Sequence, residues 1–351
     1  MNTCGTFGTH HGRLGNQIFQ MALLHAVRER HGYDFYLPPH GEALWECFDL
    51  DIPCAGPEPT HEFHEEHGSC NYDPRVFDQP DATAYRGYFQ SYRYLEDCKS
   101  SLVRSLRFKS DHRARSEAML YAYRRRYRRP LVSLHVRRTE YLLSEDKWGN
   151  LAKDGYYERA MALVGDDVTY LVFSDDLEWC RNYFDIEVVE FPEVDDYTTL
   201  CLMTGCDVNI IANSSFSWWG AYLNPNTEVI APRRWWRALE PPNDRQDDIV
   251  PPGWRTIPTF GATDGAPMNQ PVRNPKIEIN QVEDGYVVYD ENRDRVHYLN
   301  HTAVLVLELC NGEHSPEDIV AILQRTYELP EPPDEEVTAC LRQLRREGMI
   351  R

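Results

Sequence analysis

The sequence predicts an α/β protein built on a doubly wound parallel sheet, with a small α+β module appended. Three observations carry that expectation. From Leu131 to Ala231 short apolar runs alternate with helical patterns, as in βα units that assemble a parallel sheet. The first run, Leu131 to Tyr141, is a line of strand formers ending in His135, Arg137, Arg138 and Glu140, the form of a buried strand that delivers charge to its carboxyl end. Between Phe260 and Pro275 the chain holds Gly, Pro, Asn and Thr with hardly an apolar residue, and beyond it the pattern changes.

Before the opening strand, Thr6 to Gly15 is glycine-rich and leads into Ile18, Phe19, Ala22, Leu23, Ala26 and Val27. That spacing predicts a helix over Asn16 to His31 that stops at Gly32. Gly12 to Gln17 is then a loop opening onto a helix N-terminus, where N–H groups and the dipole favour an anion. Asp34 to Leu37 is the next predicted strand. Pro38 to Asp81, rich in Pro, His and Glu, reads as loops and short elements. Within it His61, His64, His67 and Cys70 recur every third residue, which is not the zincin spacing; a polar surface loop and a structural metal site both fit. Tyr85 to Tyr94 is aromatic and serves either as core or as a platform for a sugar ring. The basic run Arg124 to Arg129 ends a helix, where the dipole favours cations, and reads as a solvated face or a binding patch.

Along the opening strand, alternation puts His135 and Arg137 on one face and Val136 and Arg138 on the other. Adjacent arginines at a strand tip suit a ligand carrying phosphates, because guanidinium groups stay charged and bond phosphate oxygens as a fork. Ligands of open α/β sheets sit at that end. A helix over Gly155 to Val164, a strand over Val168 to Phe173, a helix through Phe184, a strand over Glu187 to Glu190 and a helix over Asp196 to Thr204 follow. A strand over Val208 to Ala212 then runs into a helix from Asn213, and Thr227 to Ala231 closes the series. Ser174, Asp175 and Asp176 either cap a helix or take hydrogen bonds from a guanine edge. Asn213, Ser214 and Ser215 offer a second anion site at a helix start.

Pro241-Pro242 and Pro251-Pro-Gly253 mark the end of the large domain. In the module, Tyr286 to Tyr289 and Val296 to Leu299 flank a turn at Asp290 to Asp294. Asn300 caps a helix through Cys310 that stops at Asn311-Gly312; Ser315-Pro-Glu-Asp318 starts a second, and Asp334 to Glu347 forms a third that ends at Gly348.

The 351 residues suffice for two or three domains with cores of their own, and 42% hydrophobic with 26% charged residues reads as globular. A formal net charge of −19 argues against a nucleic-acid partner, so any phosphate site is local. No run approaches the ~18 to 20 apolar residues of a membrane helix. The start, Met1 to Gly12, lacks the basic and apolar segments of a signal peptide, and the expected setting is cytoplasmic. Ten cysteines scattered from Cys4 to Cys340 without a Cys-x-x-Cys pair predict reduced thiols.

Five stretches in order, Gly12-Arg-Leu-Gly-Asn-Gln-Ile-Phe-Gln20, Gly87-Tyr-Phe-Gln-Ser91, His135-Val-Arg-Arg138, Phe173-Ser-Asp-Asp176 and Asn213-Ser-Ser-Phe-Ser-Trp-Trp219, resemble the motifs of the α-1,2-fucosyltransferases of glycosyltransferase family 11. The resemblance implies a GT-B-like pair of Rossmann-type domains, a GDP-β-L-fucose donor, inversion at the anomeric carbon, and no metal or other cofactor. It implies an acceptor-side α/β domain over residues 1–125 and a GDP-fucose-binding Rossmann-like domain over 126–260. By the same resemblance Arg137 meets the β-phosphate, and His135 and Arg138 orient it or touch the nucleotide. Gly15, Asn213, Ser214, Ser215, Phe216 and Ser217 serve the nucleotide sugar, Asp175 or Asp176 lies near the base, Arg13 and Asn16 face fucose and acceptor, and Tyr88 and Gln90 belong to the acceptor side. The family continues Gly-Asp-Tyr after the arginines, whereas this chain has Thr139-Glu140-Tyr141; Glu140 is the corresponding carboxylate, and Thr does not take the positive φ that Gly allows cheaply.

After a linker at 261–275, residues 276–351 resemble the pyrroloquinoline-quinone synthesis protein D (PqqD) family of leader-peptide-binding domains, on their pattern and on Tyr298-Leu-Asn-His-Thr-Ala303. That implies a winged-helix-like α+β domain to which a peptide adds a strand, with Tyr286, Val287, Val288, Leu341 and Leu344 as contact or core residues. The expected protein is a soluble fucosyltransferase whose acceptor, a peptide or peptide-borne glycan, is recruited by the module. Transfer to a free galactoside with a structural module, and a non-catalytic peptide-binding scaffold, are the alternatives.

Overall fold

The computed structural model describes residues 1–7, 13–38, 42–65, 71–184, 186, 189–225, 227–237, 246, 248–260, 271, 273–274, 277–282, 284–290, 295–311, 314–347 and 349–350. Gly12, His67, Cys70, Glu187, the Pro241-Pro242 pair, most of the 261–275 stretch, the turn at 291–294, Gly312 and Gly348 lie outside them. The chain forms two compact units, Met1–Ala262 and Thr263–Arg351. Among the described residues no helix is long and apolar enough to cross a membrane.

The first unit is mixed α/β with two parallel sheets. A six-stranded sheet runs in the order Arg255–Ile257, Glu228–Pro232, Val208–Ile210, Leu131–Val136, Thr169–Ser174 and Val189–Glu190, every pair parallel. Leu131–Val136 is central and buried along its whole length, which is why its sequence shows a continuous apolar run rather than alternation. The edge strand Arg255–Ile257 lies beyond the predicted end of the series; three residues, one of them charged, give no periodic signal.

A three-stranded parallel sheet, in the order Thr3–Cys4, Thr83–Arg86 and His61–His64, forms the other layer. His61–His64 is therefore a strand and not a loop: Phe63 points inward while His61 and His64 are exposed. Asp34 to Leu37 is not a strand, since Phe35 makes a single bridge to Asn2 and Pro38 follows with no N–H to extend it. Tyr85, Phe89 and Tyr94 are buried in one aromatic cluster, so that stretch supplies core.

The helix Leu14–His31 joins the two sheets. It ends where expected, with Gly32 in the left-handed region at φ 74°. Phe19 lies 4.6 and 4.9 Å from the rings of Trp218 and Trp219 on the helix Ser215–Tyr222. Burying such aromatic pairs dominates core energetics and sets how the helices meet. The basic run near Arg129 is anchored to the sheet: Arg124 donates to the carbonyl of Gly205 at 2.8 Å, Arg126 pairs with Glu190 at 2.9 Å and Arg129 with Asp167 at 3.2 Å.

The second unit is an antiparallel meander of Ile277–Val282, Gly285–Asp290 and Arg295–Leu299 followed by helices His301–Leu309, Pro316–Thr326 and Asp334–Arg346. The first strand was not expected, because Glu278, Asn280 and Gln281 interrupt the apolar signal of Ile277, Ile279 and Val282. Asn300 caps its helix by accepting from the Ala303 N–H at 2.8 Å, and Ser315 with Asp318 forms a full capping box.

Candidate functional site

The carboxyl end of the central strand gathers the charge. Arg137 is largely buried; it pairs with Asp175 at 3.0 Å and with the Glu140 carboxylate. The same Glu140 oxygen accepts from Arg13, at the start of the first helix, at 2.5 Å. Two guanidiniums, one of them 127 residues before that carboxylate, thus converge on it. Arg138 turns the other way, lying 4.0 Å above the Trp179 ring and 3.1 Å from Asp176.

Asp175 holds this arrangement. It accepts from the Arg138 N–H at 2.9 Å, the Thr139 N–H at 3.2 Å and the Thr139 hydroxyl at 2.5 Å as well as from Arg137. Burial raises its carboxyl, but the Thr139 hydrogen bond and Arg137 outweigh that and hold it below the ordinary value. Asp176 caps the following helix at the Trp179 N–H, 3.2 Å. Both carboxylates are therefore engaged in the fold, and Asp176 takes the capping role expected of this turn. Thr139 also needs no positive φ: it opens the short helix Thr139–Leu142, and its hydroxyl gains the Asp175 contact that a glycine lacks.

His135 is buried, and its Nδ1 has no hydrogen-bond partner among the described residues. Burial first, then the neighbouring Arg137, pushes its pKa down to about 3, so the ring is neutral. It faces Phe216 at 5.7 Å on the Ser215–Tyr222 helix. That helix has no side-chain cap from Ser214, so its first N–H groups are not capped by a hydroxyl. Asn213 and Ser217 are tied into the fold: Asn213 donates to the carbonyls of Trp148 at 2.9 Å and Trp235 at 2.8 Å, and Ser217 Oγ donates to the Ser214 carbonyl at 3.3 Å. Gly15 is a close-approach residue, since a Cβ there would meet Phe216 N and the Ser215 carbonyl carbon at 2.6 Å each.

On the side of the small sheet, Gln90 donates to Asn16 Oδ1 at 2.7 Å, bringing both expected acceptor-side residues together, and Tyr88 is half-buried beside them in sequence. Tyr141, Trp148 and Trp236 were missed. Tyr141 stacks on Trp148 at 5.1 Å, Trp148 meets Trp236 at 4.9 Å, and Arg137 lies 5.6 Å from the Tyr141 ring. Tyr141 was legible as a neighbour of the arginines; the tryptophans meet only through the fold. Among the described residues no three His, Cys, Asp or Glu are grouped to hold a metal. In the second unit Val288, Leu341 and Leu344 are buried in its core, so among the expected peptide contacts only Tyr286 and Val287 reach even partial exposure.

A family model described as Glycosyl transferase family 11 matches residues 73–257, more than half of the 351-residue chain. The chain belongs to glycosyl transferase family 11. A second model, Coenzyme PQQ synthesis protein D (PqqD), matches residues 285–350, so this family-11 chain carries a PqqD domain at its C-terminus. It is 38% identical over 117 residues to the O-antigen biosynthesis glycosyltransferase WbnK of Escherichia coli, covering 30% of this chain and 38% of that protein. It is 27% identical over 240 residues to galactoside alpha-(1,2)-fucosyltransferase 1 of Alouatta caraya, 60% of this chain and 63% of the relative. The chain thus spans less than two thirds of either relative. Among solved structures, fucosyltransferase NodZ from Bradyrhizobium is 16% identical with a TM-score of 0.44, covering 64% of this chain and 93% of that one.

Proposed function

We propose that this chain transfers L-fucose from GDP-β-L-fucose, with inversion and without a divalent metal, to a hydroxyl on a peptide or a peptide-borne sugar recruited by its PqqD domain. Arg137 carries the reading: a buried guanidinium at a sheet's carboxyl end, aligned by Asp175 and Glu140 and joined on that carboxylate by Arg13. In the reaction the acceptor oxygen bonds to the anomeric carbon as the bond from that carbon to the diphosphate oxygen breaks. The acceptor's proton is released and GDP departs with the bonding pair. The growing diphosphate charge is met by fixed donors that need no reorganisation, which is where such sites gain most of their rate. Arg137 would take the β-phosphate, the N–H groups of Ser215 and Phe216 the other oxygens, and neutral His135 and Phe216 a flank of the nucleotide. Glu140 acts as the clamp that holds Arg137 and Arg13 together, and Asn16 with Gln90 presents the acceptor.

This reading treats the first unit as a GT-B-like pair of Rossmann-type domains divided near residues 125 and 126, and the second as winged-helix-like. Nine described cysteines, all free thiols, support a cytoplasmic setting. The peptide role is tested by deleting residues 263–351. Tethering raises local acceptor concentration to about the millimolar range without new contacts at the site, so the deletion raises the apparent acceptor KM and leaves GDP-fucose hydrolysis unchanged. If neither changes, recruitment is wrong. A second reading, transfer to a free galactoside, draws on the named relative matched over 60% of this chain; turnover of lactose without any peptide would favour it.

A further inference from the structure

Glu65 follows the strand His61–His64 at the carboxyl end of the small sheet, and neither the motifs nor the donor chemistry above uses it. Its carboxylate accepts the N–H of Tyr88 at 2.7 Å and of Phe89 at 3.0 Å, while its own N–H donates to the Arg86 carbonyl at 2.8 Å. Gly87 is needed because Glu65 lies against it: a Cβ there would come within 2.4 Å of the Glu65 Cβ. Phe89 stands at φ 54°, a left-handed conformation that is an outlier for a bulky residue and persists only where the surroundings hold it. The next residue is Gln90, whose amide reaches Asn16. Gly87 itself is tied back, its carbonyl accepting from Gln20 at 2.8 Å.

We propose that Glu65 is a positioning residue for the acceptor side: its ionised carboxylate holds the Tyr88 and Phe89 amides, and through that turn fixes Gln90 on Asn16. The inference rests on the fucosyl-transfer reading. A carboxylate serves two N–H donors with both oxygens, whereas its protonated form gives up part of that capacity. Burial, with Asp73 adding to it against the two backbone hydrogen bonds, raises the Glu65 pKa to about 7. Among the described residues the other titratable groups that feel it are the Cys4 thiol and the Tyr94 hydroxyl, both uncharged at neutral pH, and Asp73 is itself paired with Arg75.

The test uses the full chain, GDP-fucose and lactose as acceptor probe, with wild type and Glu65→Gln assayed at pH 8.5, above the Glu65 pKa of about 7. Glu65→Gln should raise acceptor KM roughly tenfold, as expected for a lost charge-assisted hydrogen bond. Its GDP affinity by calorimetry should stay at the wild-type value, and Glu65→Asp should restore the low acceptor KM. A Glu65→Gln enzyme with wild-type acceptor KM, or with donor affinity lost in step, overturns the assignment. If that variant does not fold, Gln90→Ala carries the test: it should show the same raised KM, and an unchanged one refutes the role. If wild type transfers to no acceptor, the fucosyl-transfer reading itself has failed. Amide exchange at Tyr88 and Phe89, faster by about tenfold in Glu65→Gln at pH 8 if the carboxylate protects them and equal if it does not, then decides the geometry independently.

Discussion

Changing Gly15 to Ala tests how the two sheets are held together beneath the site. A Cβ at Gly15 would sit 2.6 Å from two backbone atoms of the Ser215–Tyr222 helix start and 2.7 Å from the Ser215 hydroxyl, about 0.8 Å short of ordinary contact at 3.4 Å. Backbone cannot rotate out of the way, so the helices must part. Alanine improves helix propensity by about 1 kcal/mol over glycine, whereas one overpacked methyl costs typically about 1 to 3 kcal/mol. A backbone obstruction puts the cost in the upper half of that range, about 2 to 3 kcal/mol, leaving a net loss of about 1 to 2 kcal/mol. For a unit of this size that lowers Tm by roughly 2 to 8 °C. Because the displaced helix start carries Phe216 beside His135 on the strand that ends in the arginines, a shift of this scale should also reduce turnover, by up to about 10²-fold. The assays are thermal unfolding and kcat with saturating GDP-fucose. A Tm at or above the wild-type value with full turnover would show that Gly15 is not a contact the fold depends on.

Arg137→Ala should lower kcat by about 10²- to 10³-fold, the scale for removing one preorganised donor to developing charge; a loss below about fivefold rejects its role. Asp175→Asn should destabilise the protein by about 2 to 3 kcal/mol at pH 7, less than the ~3 to 5 of a fully stranded buried charge because Glu140 remains on Arg137. Since the Asp175 carboxyl is held below its ordinary value, its stabilisation is complete above the unfolded carboxylate pKa and fades as pH falls through the folded value. The stability gap between wild type and variant should accordingly close below about pH 4, and a gap that is constant from pH 7 to 3 contradicts the assignment.

How much was legible in the sequence follows from how far each interaction reaches along the chain. The helix that ends at Gly32, the central strand with its two arginines, and the caps at Asp176, Asn300 and Ser315 were all readable, because a cap or a turn is decided by residues within three or four positions. The strand Ile277–Val282 was not, since its polar residues are explained only by the neighbour it pairs with. That the Asn213 amide meets the carbonyls of Trp148 and Trp235 was not readable either, because those partners reach it only in the packed chain. Glu65 carried no local signal at all; its meaning comes from the two amides it meets beyond a turn in another strand.

Sequence alone determined which residue types stand at the crest of the sheet and that the chain divides into an α/β body and a small appended domain, because periodicity and local backbone demands are written in near neighbours. Tertiary structure decided which carboxylate each cation meets and which polar groups the fold itself engages. Arg13 and Glu140 are 127 residues apart and share a 2.5 Å contact. Such a contact is set by how two sheets pack through one helix, and no local pattern encodes it.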